Sequence, residues 1–579
     1  MKKILLPFTL FLSQLIFAQT PSFPGAEGFG AHTTGGRGGQ VIYVTNLNDN
    51  GPGSLAEALA TPGPRYILFK VSGVINSNVE TVYGDYTLAG QTSPSGIIVR
   101  GFVVDEVYDT IGTGDNIIIR HLRSRSHDPA QVPGNPQDDA FRLDGASNVI
   151  VDHCSFANAI DESVQLSQSS KVTFQNCMLS ETLGDHFYLG GMLINYSTAD
   201  HPQDSISLHH NTWNRMGGRL PELTCESSYC GQNPLNLELS NNLIWDQQIN
   251  VWYNSNIDQT ATFPVDSFFI NLNYVNNYSV GRTSYTSGMA AHNLLQIADN
   301  NIFASGNKMN LYPSYSDYQL FYCCNDFDQP GSNPNTDLGV AAKLTARHNF
   351  PPITYTTTDS VVSYMYKNVG AFPRDSMDRR LTKPFPSGIP NSAPVDSADH
   401  FHDAFILPTF TPNFPTDTDN DGMPDYWETA HGLNPNTADH NATNLSLAIT
   451  GTAGYTNLEC YLNCLSDCLV AGLSTAQCGV VLNVPETAVP QNSIALFQNS
   501  PNPFMDETTI SFMLQQNETV VLKVTDLLGR DVCTLVDKKL PAGNYSFPFN
   551  IKNLNAGVYF YSLQTPTQTL IKKMVLETK

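Results

Sequence analysis

The sequence predicts an all-β chain: a right-handed parallel β-helix, then an extension carrying an acidic calcium loop, then a small C-terminal β-sandwich. Three observations predict it. A motif of strand, Asn-rich turn and strand recurs through the middle of the chain. An aspartate-rich loop interrupts the Pro-, Ser- and Asp-rich stretch that follows, and residues 495–579 alternate apolar strands with Gly and Asn turns.

The repeats run Ser147-Asn-Val-Ile-Val-Asp-His-Cys-Ser-Phe, Ser170-Lys-Val-Thr-Phe-Gln-Asn-Cys-Met-Leu, Ser205-Ile-Ser-Leu-His-His-Asn-Thr-Trp, Leu237-Glu-Leu-Ser-Asn-Asn-Leu-Ile-Trp and Leu295-Gln-Ile-Ala-Asp-Asn-Asn-Ile-Phe. Each pairs a short alternating strand with a second one across a polar turn. Without amphipathic helices between them, such units bury their inner faces only against one another, which favours stacked coils over a sandwich. Asn242, Asn277 and Asn301 are expected to stack their amides at the turns. Cys154 and Cys177 occupy equivalent places in successive repeats and are expected in the core, with a bridge between coils left open.

The ends set the organisation. Lys2 and Lys3, the apolar run Ile4 to Phe17 and then Ala18-Gln19 have the parts of a secretory signal peptide, with cleavage expected after Ala18. That run is too short to anchor the chain in a bilayer. The expected division is a signal at 1–18, a β-helix at 19–372, the extension at 373–480, a linker at 481–494 and a last unit at 495–579. A net charge of −23 argues against nucleic acid as partner, since phosphates require clustered Lys and Arg. It does not exclude an anionic ligand held by a local basic cleft or a bound cation.

Eleven cysteines in an exported chain permit disulfides but leave at least one thiol over. Cys225 and Cys230 are spaced to close a short loop; adjacent Cys323 and Cys324 are not an ordinary bridge. Cys460, Cys464 and Cys468 recur at helical spacing as a buried stripe, and no companion His supplies a zinc pattern.

Within the extension, Asp417-Thr-Asp419-Asn-Asp421-Gly422-Met-Pro-Asp425-Tyr-Trp-Glu428 places carboxylates at loop positions one, three, five, nine and twelve with Gly at six. That is the spacing of a calcium loop of EF-hand kind. Asp417, Asp419, Asp421, Asp425 and Glu428 are therefore expected ligands of a structural calcium.

A second polar set falls on consecutive repeats: Asp138-Asp139-Ala140, then Asp161-Glu162, then Asn214-Arg215-Met-Gly-Gly-Arg219-Leu-Pro221. With Pro24-Gly-Ala-Glu-Gly-Phe-Gly30, Thr33-Thr-Gly-Gly-Arg37-Gly-Gly, Val44-Thr-Asn-Leu-Asn48, Gly53-Ser-Leu and Val149-Ile-Val-Asp152-His153-Cys154-Ser-Phe156, the span from Phe23 to Phe372 resembles polysaccharide lyase family 1. The resemblance implies calcium-assisted β-elimination on pectate or polygalacturonate, giving 4,5-unsaturated products. It implies Asp139 and Asp161 as calcium ligands. The third ligand position is Gln165 here, and Glu162 is a substitute for it. Arg219 matches the family's Brønsted base, with Arg215 as the neighbouring alternative.

Two departures weaken the match at the substrate side. Glu222 stands where the family usually has an arginine, and Asp185-His186 where it usually has a lysine. Arg120, Arg123, Arg142 and Arg215 are the expected substitutes for gripping uronate carboxylates, a solvated charged edge being the alternative for the first three.

Phe497-Gln-Asn-Ser-Pro501-Asn-Pro503-Phe504, Val524-Thr-Asp526-Leu-Leu-Gly529-Arg530 and Leu554-Asn-Ala-Gly557-Val558-Tyr559 resemble the C-terminal sorting domain of Bacteroidetes type IX secretion cargo. That implies delivery to the cell surface or medium by the secretion machinery, with the domain removed; the lyase resemblance implies an acidic plant-wall polysaccharide as partner, and a monomeric enzyme is expected. Three rival readings remain: a pectin lyase, a polygalacturonase-type hydrolase using Asp138 and Asp139, and a non-catalytic polysaccharide-binding β-helix.

Overall fold

The computed structural model describes residues 19–105, 114–127, 139–183, 190–216, 218–223, 234–246, 252–254, 270–281, 292–294, 301–311, 313–322, 343–390, 403–409, 414–473 and 478, and, further on, 495–496, 499, 504, 507–514, 517–526, 530–550, 554, 557–566 and 569–576. These fall into two compact units, 1–481 and 482–579.

The first unit winds its strands into three parallel sheets of ten, nine and nine strands. One coil shows the order: Phe141–Asp144 in the second sheet, Ser147–Asp152 in the first, Ser155–Ala157 in the third. Parallel pairing puts like residues in columns, so Val149 lies beside Val172, then Ile206, Leu237, Leu272 and Ile302. All are buried in one continuous core. Each such side chain contributes about 1.5–3 kcal/mol by leaving water.

The Asn-rich turns are the corners between first and third sheets. His153, Asn176, His210, Asn241 and Asn276 adopt left-handed φ there, between 52° and 55°. Asn and His tolerate that region better than most residues. The following residue points inward and ties coil to coil. The backbone N–H of Cys177 donates to Asn211 Oδ1 (2.8 Å), Asn211 to Asn242 (3.0 Å), Asn242 to Asn277 (2.9 Å) and Asn277 to Asn307 (2.9 Å). Asn242 and Asn277 thus belong to the stack, but Asn301 does not. It sits in the strand Asn301–Ser305 and donates to Asn271, while Asn307 takes the turn position. Cys154 and Cys177 fill the same column as free buried thiols; the Cys177 Sγ–H reaches Val151 O (3.5 Å) where the later asparagines donate an amide. Cys225, Cys230, Cys323 and Cys324 lie outside the described residues.

The extension packs on two sheets. Helices Thr358–Asn368 and Ser376–Thr382 set Val361, Met365, Met377 and Leu381 against Met178, Leu243 and Trp245 of the third sheet. Helix Asn457–Val470 opens with a capping box, Thr456 and Glu459 each satisfying the other's backbone N–H. Its Leu458, Tyr461 and Leu462 cluster with Tyr66, Leu68 and Ala89 of the first sheet. Cys460 and Cys468 are buried on this helix, and Cys464 is half-buried.

In the second unit, Ala495–Leu496, Glu507–Leu514 and Gly543–Asn550 form one antiparallel sheet; Asp531–Leu540, Glu518–Asp526, Gly557–Gln564 and Thr569–Leu576 form another. Ile510, Phe512, Val520, Leu522, Tyr561 and Met574 join in its core, a small sandwich.

Candidate functional site

The acidic set converges at the turns leading into the second sheet. Phe141 pairs with Val164, Val164 with Met192, and Leu193 with Glu222. Counting back along that register puts Asp139, Glu162, Gly190 and Arg219 in one column, about 4.8 Å per coil. Backbone bonds continue through it, from Ala140 N to Glu162 O (3.0 Å), Ser163 N to Gly190 O (2.9 Å) and Met192 N to Arg219 O (2.6 Å). The Asp139 carboxylate accepts from Glu162 N (3.0 Å), so it holds the next turn in place.

Asp139, Asp161 and Glu162 each offer an oxygen within 4.8 Å of the others. Three hard oxygen donors in that space suit a calcium ion. Arg219 reaches back toward the acidic group from two coils away. Its Nη1 meets Glu162, and its Nε lies 2.6 Å from Glu222. Gly191 makes this close stacking possible. A Cβ there would sit 2.1 Å from the Arg219 carbonyl oxygen.

Along the strand, Arg142, Gln165, Leu193 and Glu222 form one row. Arg142 is the most open of the basic groups, 28 % exposed, with Nη2 2.9 Å from Asp144 and Nη1 3.9 Å from Asp139. Burial acts to lower its pKa, but the bond from Asp144 and the charges of Asp144, Asp139 and Asp105 leave it raised. The Gln165 amide NH₂ donates to Ser167 (2.9 Å) and Asn195 (3.3 Å). A calcium ion would use its Oε1 instead, and neither bond engages that atom.

Three expectations are corrected by burial. Arg120 lies on the first sheet beneath the extension helix, paired with Asp152 at 2.8 Å, donating to Ser466 and stacked 4.0 Å over Phe23. Arg123, fully buried on the third sheet, pairs with Asp375 at 3.1 Å beside Arg125, whose Nη2 is 2.8 Å from Asp378. Arg215 is enclosed against Glu181 at 2.9 Å and Asp246 at 4.0 Å. These guanidiniums fasten the extension and the turns to the coils, because a buried charge stays only where it is paired. Asp138, Asp185 and His186 lie outside the described residues.

Comparison with known proteins fits this architecture. Over 458 residues the chain is 30 % identical to the probable pectate lyase C of Aspergillus flavus, spanning 77 % of this chain and 94 % of that one. The corresponding protein of Emericella nidulans is 30 % identical over 456 residues, 77 % of this chain and 92 % of its own. The chain belongs to the pectate lyase family. It is an enzyme of that family, a polysaccharide lyase built on a parallel β-helix. Among solved structures, the major allergen from cedar pollen aligns over 60 % of this pectate lyase and 92 % of its own chain, at 16 % identity and a TM-score of 0.40. Residues 500–577 match the secretion system C-terminal sorting domain, which indicates type IX secretion. No helix among the described residues is long and apolar enough to cross a membrane.

Two residues that matter escaped the sequence reading. Gly191 has no motif of its own; only the structure shows that its missing Cβ lets the Arg219 backbone approach. Asp439 lies outside the acidic loop motif, yet its carboxylate groups with Asp421 and Glu428 within 4.8 Å. Asp425, by contrast, turns back to accept from Thr418 N (2.8 Å) and Thr418 Oγ1 (2.7 Å) and is not in that group.

Proposed function

We propose that the column from Asp139 to Arg219 is the catalytic centre of a secreted, calcium-dependent pectate lyase acting on polygalacturonate by β-elimination. The observation that carries this reading is a single one: Arg219 reaches the Asp139, Asp161 and Glu162 group from two coils away.

Asp139, Asp161 and Glu162 would hold the calcium. When bound, that ion neutralises the uronate carboxylate and makes the adjacent C5 proton more acidic. Nε and Nη1 of Arg219 are engaged by Glu222 and Glu162. Arg219, having first lost a proton to solvent, takes the C5 proton; the C5–H electron pair becomes the C4=C5 double bond, the C4–O bond breaks, and the departing oxygen gains a proton from water. Arginine is normally a cation, so the base role comes from family resemblance together with this position. Glu162 has two uses, guanidinium partner and cation ligand, and commitment to one releases the other. Arg142, at the exposed end of the row, supplies a cation for a neighbouring uronate.

The sorting-domain match supports export by the type IX machinery, with residues 1–18 as the Sec signal and the enzyme working as a monomer. The test is incubation with polygalacturonate, methylated pectin and alginate, with and without chelator. Ultraviolet-absorbing products from polygalacturonate, lost with chelator and restored by calcium, are expected. New reducing ends without absorbance would mean hydrolysis instead.

A further inference from the structure

The extension carries a second group of carboxylates, far from the lyase column in the chain and on the first sheet's side of the helix. Asp417, Asp419 and Asp421 approach within 4.8 Å of one another, and Asp421, Glu428 and Asp439 do the same, so the two groups share Asp421. Backbone amides already aim at the loop: Asp421 N to Asp417 Oδ1 (3.2 Å), Gly422 N to Asp417 Oδ2 (3.2 Å), Met423 N to Asp421 Oδ1 (3.0 Å) and Asp439 N to Asp421 Oδ2 (2.9 Å). Those bonds fix the loop's shape.

Glu428 is the independent sign of a ligand. Its side chain is 0 % exposed, yet neither carboxylate oxygen has a hydrogen-bond partner among the described residues. Asp419 Oδ2 is also buried without one. Among the described residues, no Lys or Arg pairs with any of the five carboxylates; the nearby Lys70 donates to Asn420 (3.3 Å) and lies 3.6 Å over the Tyr43 ring. A bare buried carboxylate is disfavoured unless a cation or a proton accompanies it.

We propose that Asp417, Asp419, Asp421, Glu428 and Asp439 form a calcium site in which Asp439, from outside the loop motif, is a ligand and Asp425 is not. Oxygen donors, a loop Gly at left-handed φ and the supernumerary acidic charge favour calcium over softer ions. The site is a clamp. Gly422 presses between the extension helix and the first sheet, where a Cβ would sit 2.9 Å from both Leu458 Cδ1 and Leu68 Cδ1. Asn457 Nδ2 donates to Asp439 O (3.3 Å) at the start of that helix, and Arg37 of the first coils pairs with Glu459 at 2.8 Å. Calcium there ties loop, Asp439 segment and helix to the first sheet.

The test uses the full-length chain carrying Asp139→Asn and Asp161→Asn, which removes the other acidic group. Melting is followed in chelator and against added calcium, with Glu428→Gln, Asp439→Asn and Asp425→Asn compared in that background. Glu428→Gln should melt higher than its parent in chelator and lower in calcium, a reversal that a merely structural glutamate would not give. Glu428→Gln and Asp439→Asn should each weaken calcium tenfold or more, while Asp425→Asn keeps the parental affinity. Parental affinity in Asp439→Asn or Glu428→Gln, or loss of calcium binding in Asp425→Asn, would overturn the assignment.

Discussion

The guanidinium of Arg219 lies against the carboxylate of Glu162, two coils away in the stack. Everything proposed for catalysis depends on that contact. It joins the basic side chain to the acidic group in one column, and it makes Glu162 a shared partner.

If Asp139, Asp161 and Glu162 hold calcium, Asp139→Asn and Asp161→Asn should raise the calcium needed for half-maximal activity, by roughly tenfold each, before they lower the maximal rate. Titrating calcium at saturating polygalacturonate gives both quantities. A lowered maximal rate with an unchanged calcium requirement would remove the two aspartates from the ligand set.

Gly191→Ala should lower kcat. The added Cβ meets the backbone oxygen of Arg219 at 2.1 Å, so the coil bearing Arg219 must move rather than a flexible side chain. Overpacking of this kind costs about 1–3 kcal/mol in stability. Activity measured well below the melting transition separates the displaced arginine from simple unfolding.

Arg125→Met should destabilise the first unit by about 3–5 kcal/mol, since it leaves two buried carboxylates, Asp375 and Asp378, with Arg123 as their one guanidinium partner. Residual folded enzyme should keep its KM. A raised KM with normal stability would return the buried arginines to the substrate.

Acid should weaken the fold through His209. Burial lowers its pKa from 6.5 to about 4, with no hydrogen-bond partner at Nε2. Between pH 6.5 and about 4 the unfolded chain binds the proton and the folded chain does not, so stability present above 6.5 is lost as pH falls through that window. The loss is on the order of a few kcal/mol. Denaturant melts across this range, compared with His209→Gln, should show the slope in the parent and a flatter curve in the variant.

The alternating strands and Asn turns were legible because period-two burial and left-handed corners leave residue-level marks, as at Val149 to Phe156. The second sheet was not. Its strands are short, and coils in register differ in length from 21 residues, Arg65 to Tyr86, to 40, Trp252 to His292, so no fixed period announces them. Asp139, Asp161, Glu162 and Arg219 were legible as residue types on consecutive repeats; their column was a matter of register. Arg120, Arg123 and Arg215 looked like a basic cleft in sequence, and became buried partners because Asp152, Asp375 and Glu181 arrive from segments 32, 252 and 34 residues away. Asp439 joins Asp421 and Glu428 where the loop spacing had pointed to Asp425, for a similar reason: loop spacing cannot report a carboxylate contributed from outside the loop.

The central claim is that Arg219 takes the C5 proton, and the most direct measurement is turnover of polygalacturonate, by ultraviolet absorbance across pH, for Arg219→Lys beside Arg215→Lys. Arg219→Lys should retain the fold and much of the polymer affinity while losing at least a hundredfold in kcat, because lysine lacks the reach and the planar fork that Glu162 and Glu222 orient. Arg215→Lys should keep its turnover where it folds, and parental activity should rise toward alkaline pH. Near-parental kcat in Arg219→Lys would contradict the account.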